Sequence, residues 1–137
     1  VKVSRFDTPT GIAVLLSPPP SLPPPLASER AAIVFISDSN NHCIRAVLPS
    51  LGRVVTVAGK AEKSGHIDGV GDEARFCYPG HLCLMHEYLI IGDTRNCAIR
   101  RLCLRSLKVE TIAVRPVRAK GMKEGRTNKG KTWPTGF

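Results

Sequence analysis

The sequence has no apolar run near the roughly 18 residues that a helix needs to cross a bilayer, so we expect no membrane contact. It also lacks a signal-peptide pattern, because Lys2 and Arg5 are followed only by the short apolar stretch 12–16. Five cysteines, an odd number with no CxxC pair, argue against a disulfide framework. Together these absences predict a cytoplasmic protein, and a first residue of Val rather than Met predicts a piece of a longer chain.

Prolines and glycines are frequent, with 11 and 12 among 137 residues, and this disfavours a helical bundle and favours short strands joined by turns. The formal charge of +9 is uneven, because residues 115–137 hold seven basic side chains and one acidic. We therefore predict a folded unit over 1–114 and a basic tail of low structure over 115–137. The candidate polyanion-binding residues in the tail are Arg118, Lys120, Lys123, Arg126, Lys129 and Lys131.

An internal repeat organises the first 114 residues. DSNNHCIR at 38–45 aligns with DTRNCAIR at 93–100, and VVTVA at 54–58 aligns with VETIA at 109–113, both at an offset of 55. RFDTPTGIAV at 5–14 aligns with RFCYPGHLCL at 75–84 at an offset of 70, which places an insertion in the first copy, visible as the proline-rich loop 17–30. Ten of these 23 positions are identical, where chance gives about one or two.

Each copy reads as four short strands rich in Val, Ile, Leu and Thr and separated by turn residues. The predicted strands are 11–15, 33–37, 43–47 and 54–58 in the first copy, and 81–85, 88–92, 98–102 and 109–113 in the second. Residues 97–107 have helical spacing of apolar side chains, but the aligned stretch contains Pro49, so the repeat favours a strand there.

The turn between the second and third strands carries Asp38 and Asn41, repeated as Asp93 and Asn96. Short polar side chains of this kind hydrogen-bond nearby backbone N–H groups and tolerate left-handed backbone. In the next strand the period of two puts Ile44 and Ile99 on one face and Arg45 and Arg100 on the other. Each arginine then either reaches a carboxylate or carbonyl of a neighbouring sheet or faces solvent.

Over about residues 4–114, these elements resemble the NHL repeat, whose copies form the blades of β-propellers. The asparagine–histidine pair of the name is Asn41-His42 in the first copy, and Cys97 replaces the histidine in the second. The stretch DGVGDEARF at 68–76 resembles the long inter-blade linker of one NHL subgroup, which includes proteins in which a thioredoxin-like domain precedes the propeller. The resemblance assigns the linker role to Asp68, Gly69, Gly71, Phe76 and Pro79.

The resemblance implies an all-β fold, with two four-stranded antiparallel blades of a partial propeller. Two blades leave an apolar face open at each end, and about three repeats are usually needed for stability, so we expect the chain alone to be marginally stable or to aggregate. The implied function is a non-catalytic protein-interaction scaffold with no cofactor. Its partner would be an unidentified protein, the remaining blades or another copy of the chain, and the candidate contacts are Asn40, His42 and Arg95.

Two other functions have motifs in the sequence. The basic tail with the blade rim gives a rival, RNA binding. A GxxxxGK[ST] match at 125–132 would bind a nucleotide, but a preceding strand and a following helix are not predicted there, so we do not expect this activity.

Three further patterns have plainer interpretations. Cys83 lies between His81 and His86, yet the ligand spacing is not that of structural zinc, and we expect Cys43, Cys83 and Cys103 to be small buried apolar residues. Three acidic residues at 68–73 do not match a calcium loop, and we expect a glycine-rich turn with solvated carboxylates. The insertion 17–30 contains a PxxP and is expected to be solvated polyproline II without a ligand.

Overall fold

A computed structural model describes residues 5–116, which form two antiparallel sheets. The first sheet has the order β1-β2-β3-β4, and the second has the order β5-β9-β8-β7-β6. Among the described residues, the only helical segments are short 3₁₀ turns between strands. None of these residues belongs to a helix long and apolar enough to span a membrane. The strands are β1 Pro9–Leu16, β2 Ala32–Asp38, β3 Cys43–Leu48, β4 Arg53–Gly59, β5 Gly69–Val70, β6 Pro79–Met85, β7 Tyr88–Asp93, β8 Ala98–Cys103 and β9 Lys108–Val114.

The all-β prediction is confirmed, and each predicted strand lies inside an observed one. The repeat also extends to irregular features, because a register shift falls between Ile44 and Arg45 in one sheet and between Ile99 and Arg100 in the other. The second sheet differs from the prediction of four strands. Two linker residues, Gly69 and Val70, pair with β9 as an additional edge strand.

The two sheets stack face to face. In a pair of repeat-equivalent residues, one lies at the interface between the sheets and the other lies on an outer face. Ile44 is fully buried between the sheets, whereas its counterpart Ile99 is 41% exposed on the outer face of the second sheet. Conversely, Arg100 is fully buried at the interface, whereas Arg45 is half-buried on the outer face of the first sheet. This is the arrangement of consecutive propeller blades, in which each sheet presents one face to the blade before it and the other to the blade after it.

Across the interface, the two sheets pack closely together at strands β1 and β6. A Cβ atom on Gly11 would lie 2.2 Å from the carbonyl oxygen of Gly80, so a larger residue there would push the sheets apart. The hydroxyl groups of Ser37 and Ser39 donate to the carbonyl oxygens of Gly80 and Pro79, respectively. With the hydroxyl of Thr10, which also donates to the Pro79 carbonyl oxygen, these bonds join β6 to the first sheet through β6 backbone carbonyl groups.

The proline-rich insertion packs on the core, which corrects the expectation of a solvated loop. Leu26 is fully buried and Leu22 is 5% exposed, both in the hydrophobic cluster between the sheets. Glu29, 1% exposed, accepts hydrogen bonds from the backbone N–H groups of Arg30, Ala31 and Ser50 at 2.9–3.0 Å. The pKa of Glu29 is lowered to about 2, chiefly by hydrogen bonding from the Ser50 side chain and further by these backbone bonds, which together outweigh the opposing effect of burial.

Candidate functional site

The turn between the second and third strands of each sheet is held by an aspartate–asparagine pair. In the first sheet, the Nδ2 of Asn41 donates to Asp38 at 3.0 Å, and the backbone N–H of Asp7 donates to the same carboxylate at 2.7 Å. In the second sheet, Asn96 and the N–H of Cys77 bond to Asp93 in the same way, each at 2.8 Å.

The residue that closes each of these turns has left-handed backbone. His42 closes the first turn with φ 56° and Cys97 closes the second with φ 49°. Both turns therefore follow one construction even though the side chain at this position differs.

Arg100 is the centre of a polar cluster buried between the sheets. Its guanidinium lies 2.7 Å from Asp93 and 2.7 Å from Asp68, and it donates to the carbonyl oxygens of Arg75 and Ile67 at 3.0 and 2.8 Å. Asp93 is fully buried, whereas the side chain of Asp68 is 48% exposed. The cluster therefore ties the inter-sheet linker to the turn of the second sheet through one cation.

Asp68 is not the freely solvated carboxylate that the sequence predicts. It accepts hydrogen bonds from the N–H and hydroxyl of Thr111, each at 2.9 Å, as well as from Arg100. Partial burial of this group acts to raise its pKa, but the hydrogen bonds from Thr111 and the contact with Arg100 outweigh burial and lower the pKa of Asp68 below its usual value. A charged Asp68 is thus the stable form across the physiological range.

The other linker residues assigned by resemblance lie around this cluster. Phe76 is fully buried, and the guanidinium of Arg100 lies 5.1 Å from its ring centroid. Gly71 has φ 55°, which favours glycine, and a Cβ on Gly69 would lie 2.9 Å from the Cβ of Glu73. Pro79 is buried at the start of β6.

The equivalent position in the first sheet is much less engaged. Arg45 donates to the hydroxyl of Thr56 at 3.2 Å and lies 5.7 Å from the ring centroid of Phe6. Within residues 5–116, its Nε is buried without a hydrogen-bond partner, and no carboxylate forms a salt bridge with it. Of the two outcomes left open for the arginines, Arg100 takes the paired one and Arg45 a largely unpaired one.

Two of the three partner-contact candidates, His42 and Arg95, meet at a residue that the sequence did not single out, Tyr78. The guanidinium of Arg95 lies 4.2 Å from the centroid of the Tyr78 ring, and the ring of His42 meets it edge-on at 4.6 Å. The N–H of Tyr78 also donates to His42 Nδ1 at 3.2 Å. We call His42, Tyr78 and Arg95 the rim cluster, because it joins turns of both sheets.

Asn40, the remaining contact candidate, lies on the same turn as His42 and is exposed. Its amide bonds to the side chains of Asp7 and Thr8 at 2.9 and 3.0 Å. No sequence pattern indicated a role for Tyr78, and its left-handed backbone, with φ 52°, is visible only in the structure.

The cysteines behave differently from one another. Cys43 is buried, and burial, reinforced by the nearby Asp38, raises the pKa of its thiol to about 11. The expectation of burial is wrong for Cys83, which is exposed on the outer face of the second sheet, and Cys103 is half-buried. Within the described residues, no three His, Cys, Asp or Glu side chains are placed to hold a metal ion.

The six polyanion-binding candidates of the tail, from Arg118 to Lys131, lie outside the described residues, as does the 125–132 nucleotide motif.

Comparison with known proteins supports the repeat assignment. No protein-family model matches the chain. It is 31% identical over 91 residues to NHL repeat-containing protein 2 of Bos taurus, covering 65% of this chain and 12% of that protein. It is 33% identical over 102 residues to Protein SUPPRESSOR OF QUENCHING 1, chloroplastic, of Arabidopsis thaliana, covering 68% of this chain and 10% of the relative. The chain thus spans 10–12% of the length of these relatives.

A solved structure shows the same fold at lower sequence similarity. An auxiliary nutrient binding protein from Bacteroides ovatus ATCC 8483 superposes with a TM-score of 0.51 and 22% identity, over 58% of this chain and 22% of that one. The duplicated Asp-x-x-Asn-x-x-Ile-Arg element, the stacked blade-like sheets and the similarity to the Bos taurus protein agree with one another. Over 65% of its length, the chain is similar to NHL repeat-containing protein 2.

Proposed function

We propose that this chain is a non-catalytic protein-interaction module and that the rim cluster forms its contact surface. The observation that carries the proposal is the meeting of Arg95, Tyr78 and His42 at turns contributed by both sheets. Tyrosine and arginine are enriched among the residues that dominate binding energy at protein interfaces. A rigid sheet scaffold that holds such residues on turns is a common design for recognition.

The rim cluster also presents an anchor with little conformational freedom. Stacking on the arginine and edge contact with the histidine hold the tyrosine ring from two sides, so little side-chain entropy is lost on binding. Arg95 itself is exposed and is free to meet an acidic or aromatic group of a partner.

Affinity capture with the full chain tests this proposal. Proteins retained by the wild type would be compared with those retained by Arg95→Ala, with Arg105→Ala as the matched control. Arg105 is also an exposed arginine, but it pairs with Glu87 away from the rim cluster. We expect Arg95→Ala to lose at least about tenfold of a specific captured protein while the control keeps it, as is typical of an interface hot spot. Equal capture by both variants would contradict the proposal.

RNA binding is the second candidate, favoured by the strongly basic composition of segment 115–137 and by the exposed Arg95. A filter-binding titration with single-stranded RNA at two salt concentrations separates the two functions. Affinity that falls steeply with salt, with a slope set by several released counterions, supports RNA binding. Absence of RNA binding together with Arg95-dependent protein capture supports the protein-interaction module.

A further inference from the structure

The outer face of the first sheet is the repeat-equivalent of a face that is covered in the second sheet. Ile12 and Val14, which are 65% and 48% exposed, correspond at the offset of 70 to Leu82 and Leu84, which pack against the core. At the offset of 55, Arg45 and Thr56 on this outer face correspond to Arg100 and Thr111. The first sheet therefore carries, on its open side, the residues that in the second sheet meet a neighbour.

The second sheet also shows how the edge of its last strand is used. The linker adds β5 to β9, with Gly69 opposite Val109 and Val70 opposite Lys108. The N–H of Gly71 then donates to the carbonyl oxygen of Leu107 at 3.0 Å. Asp68, one residue before this short strand, bonds to both Arg100 and Thr111. Four consecutive residues thus combine β-pairing with a carboxylate contact to a cation.

The corresponding edge in the first sheet is β4, and within residues 5–116 it has no strand on that side. Val54 and Arg53 take the places of Val109 and Lys108, and Gly52, with φ 59°, takes the place of Leu107, with φ 57°. The backbone geometry that receives the linker in the second sheet is therefore repeated in the first. No described residue takes the place of Asp68 beside Arg45.

We propose that the edge of β4, together with Arg45 and Thr56, is a binding site for an extended Asp-Gly segment of a further NHL-type repeat. The segment would pair antiparallel to β4 by strand addition, with its glycine opposite Val54. Its aspartate would accept hydrogen bonds from the Arg45 guanidinium and from the N–H and hydroxyl of Thr56, as Asp68 does in the second sheet. The sheet that comes immediately before this segment in the further repeat would then cover the apolar outer face.

Charge and competition favour this occupant over a second copy of the chain. No carboxylate of residues 5–116 pairs with the half-buried guanidinium of Arg45, so an anionic side chain is the complementary group. In a second copy the only Asp-Gly segment, at 68–69, is already engaged by its own Arg100. The outer face of the second sheet is also more polar, because Arg101 and Glu110 form an ion pair where the first sheet has Ala46 and Val55.

A synthetic peptide with the sequence of residues 66–76, HIDGVGDEARF, is the probe for this site. Its binding to the full chain would be followed by fluorescence anisotropy. We expect the affinity to fall at least about tenfold in the Arg45→Gln variant, and equally when the peptide carries asparagine at the position of Asp68. Arg105→Gln is the matched control and should bind like the wild type. Binding that is unchanged by both the Arg45 and the peptide substitutions would overturn the proposal.

A covalent version keeps the test decisive if the free peptide binds too weakly to measure. Residues 64–74 would be placed before Arg5 in place of 1–4, so that the graft continues into Arg5-Phe6 as the linker continues into Arg75-Phe76. We expect the graft to melt about 4 °C or more above the same graft with asparagine at the Asp68 position. In Arg45→Gln the two grafts should melt together. Equal melting temperatures in the wild-type background would refute the site.

This inference goes beyond the proposed function, since none of its readouts involves the rim cluster. Loss of peptide and graft effects with capture still dependent on Arg95 would remove the β4 site alone. Peptide binding dependent on Arg45 with no Arg95-dependent capture would remove the rim proposal alone.

Discussion

Replacing Arg100 with methionine should destabilise the fold far more than the same change at Arg45. The two residues occupy one position of the repeat, on equivalent strands and beside equivalent register shifts. They differ in what surrounds them, because Arg100 is fully buried against two carboxylates, whereas Arg45 is half-buried and, among residues 5–116, donates one side-chain hydrogen bond, to Thr56. The pair is therefore an internal control for the energy of a buried ionic cluster.

The magnitude follows from what each change leaves behind. Without Arg100, the carboxylate of Asp93 stays fully buried, with only the Asn96 amide and the Cys77 N–H as hydrogen-bond donors. Leaving a buried charge without its partner costs about 3–5 kcal/mol. Asp68 adds little, because its side chain is 48% exposed and regains water. Removing Arg45 should cost about 1 kcal/mol or less, so we expect the two variants to differ by roughly 2–4 kcal/mol.

Urea unfolding of the full chain, followed by far-UV circular dichroism, measures this difference. A drop of about 3 kcal/mol is a large share of the 5–15 kcal/mol typical of a domain, so Arg100→Met would unfold at much lower urea. If that variant does not fold, Asp93→Asn combined with Arg100→Met should recover part of the loss by removing the buried charge. A difference below about 1 kcal/mol between the Arg100 and Arg45 variants would refute the reasoning.

Three other predictions concern pH, thiol chemistry and association. Because the pKa of Glu29 is lowered from 4.5 to about 2, its stabilisation is fully present above pH 4.5 and is lost as the pH falls toward 2. The melting temperature should therefore drop across this window less in Glu29→Gln than in the wild type, and an equal drop would contradict this. In the native chain at neutral pH, maleimide should label the exposed Cys97 but spare Cys43, whose thiol is buried with a pKa of about 11; comparable labelling, mapped by mass spectrometry, would be evidence against this packing. With Ile12 and Leu16 65% and 71% exposed, light scattering should show concentration-dependent association of the chain, and a sharp melt of a monomer that is independent of concentration would argue against it.

Local features of this fold could be predicted because short-range chemistry sets them. Alternation of apolar residues fixes a strand such as 33–37, and an Asx side chain followed by a left-handed residue fixes the turn at Asp38 and His42. Comparing the two copies helped further, since a pattern that is ambiguous at 97–107 becomes a strand once Pro49 is aligned with it. The fifth strand at Gly69–Val70 escaped prediction because two residues carry no periodicity.

The duplication can be read from the sequence because it lies in aligned residue identities. The β class and the turn chemistry can be read from it because they depend on residues a few positions apart. Tertiary structure alone decided which member of each equivalent pair is buried, since periodicity assigns a side chain to a face but not to a neighbour. That is why Arg100 joins an ionic cluster and Arg45 does not, and why Leu22 and Leu26 enter the core from a loop expected in solvent. It also decided that Tyr78 is the centre of the rim cluster, because its contacts come from residues 17 and 36 positions away in the chain.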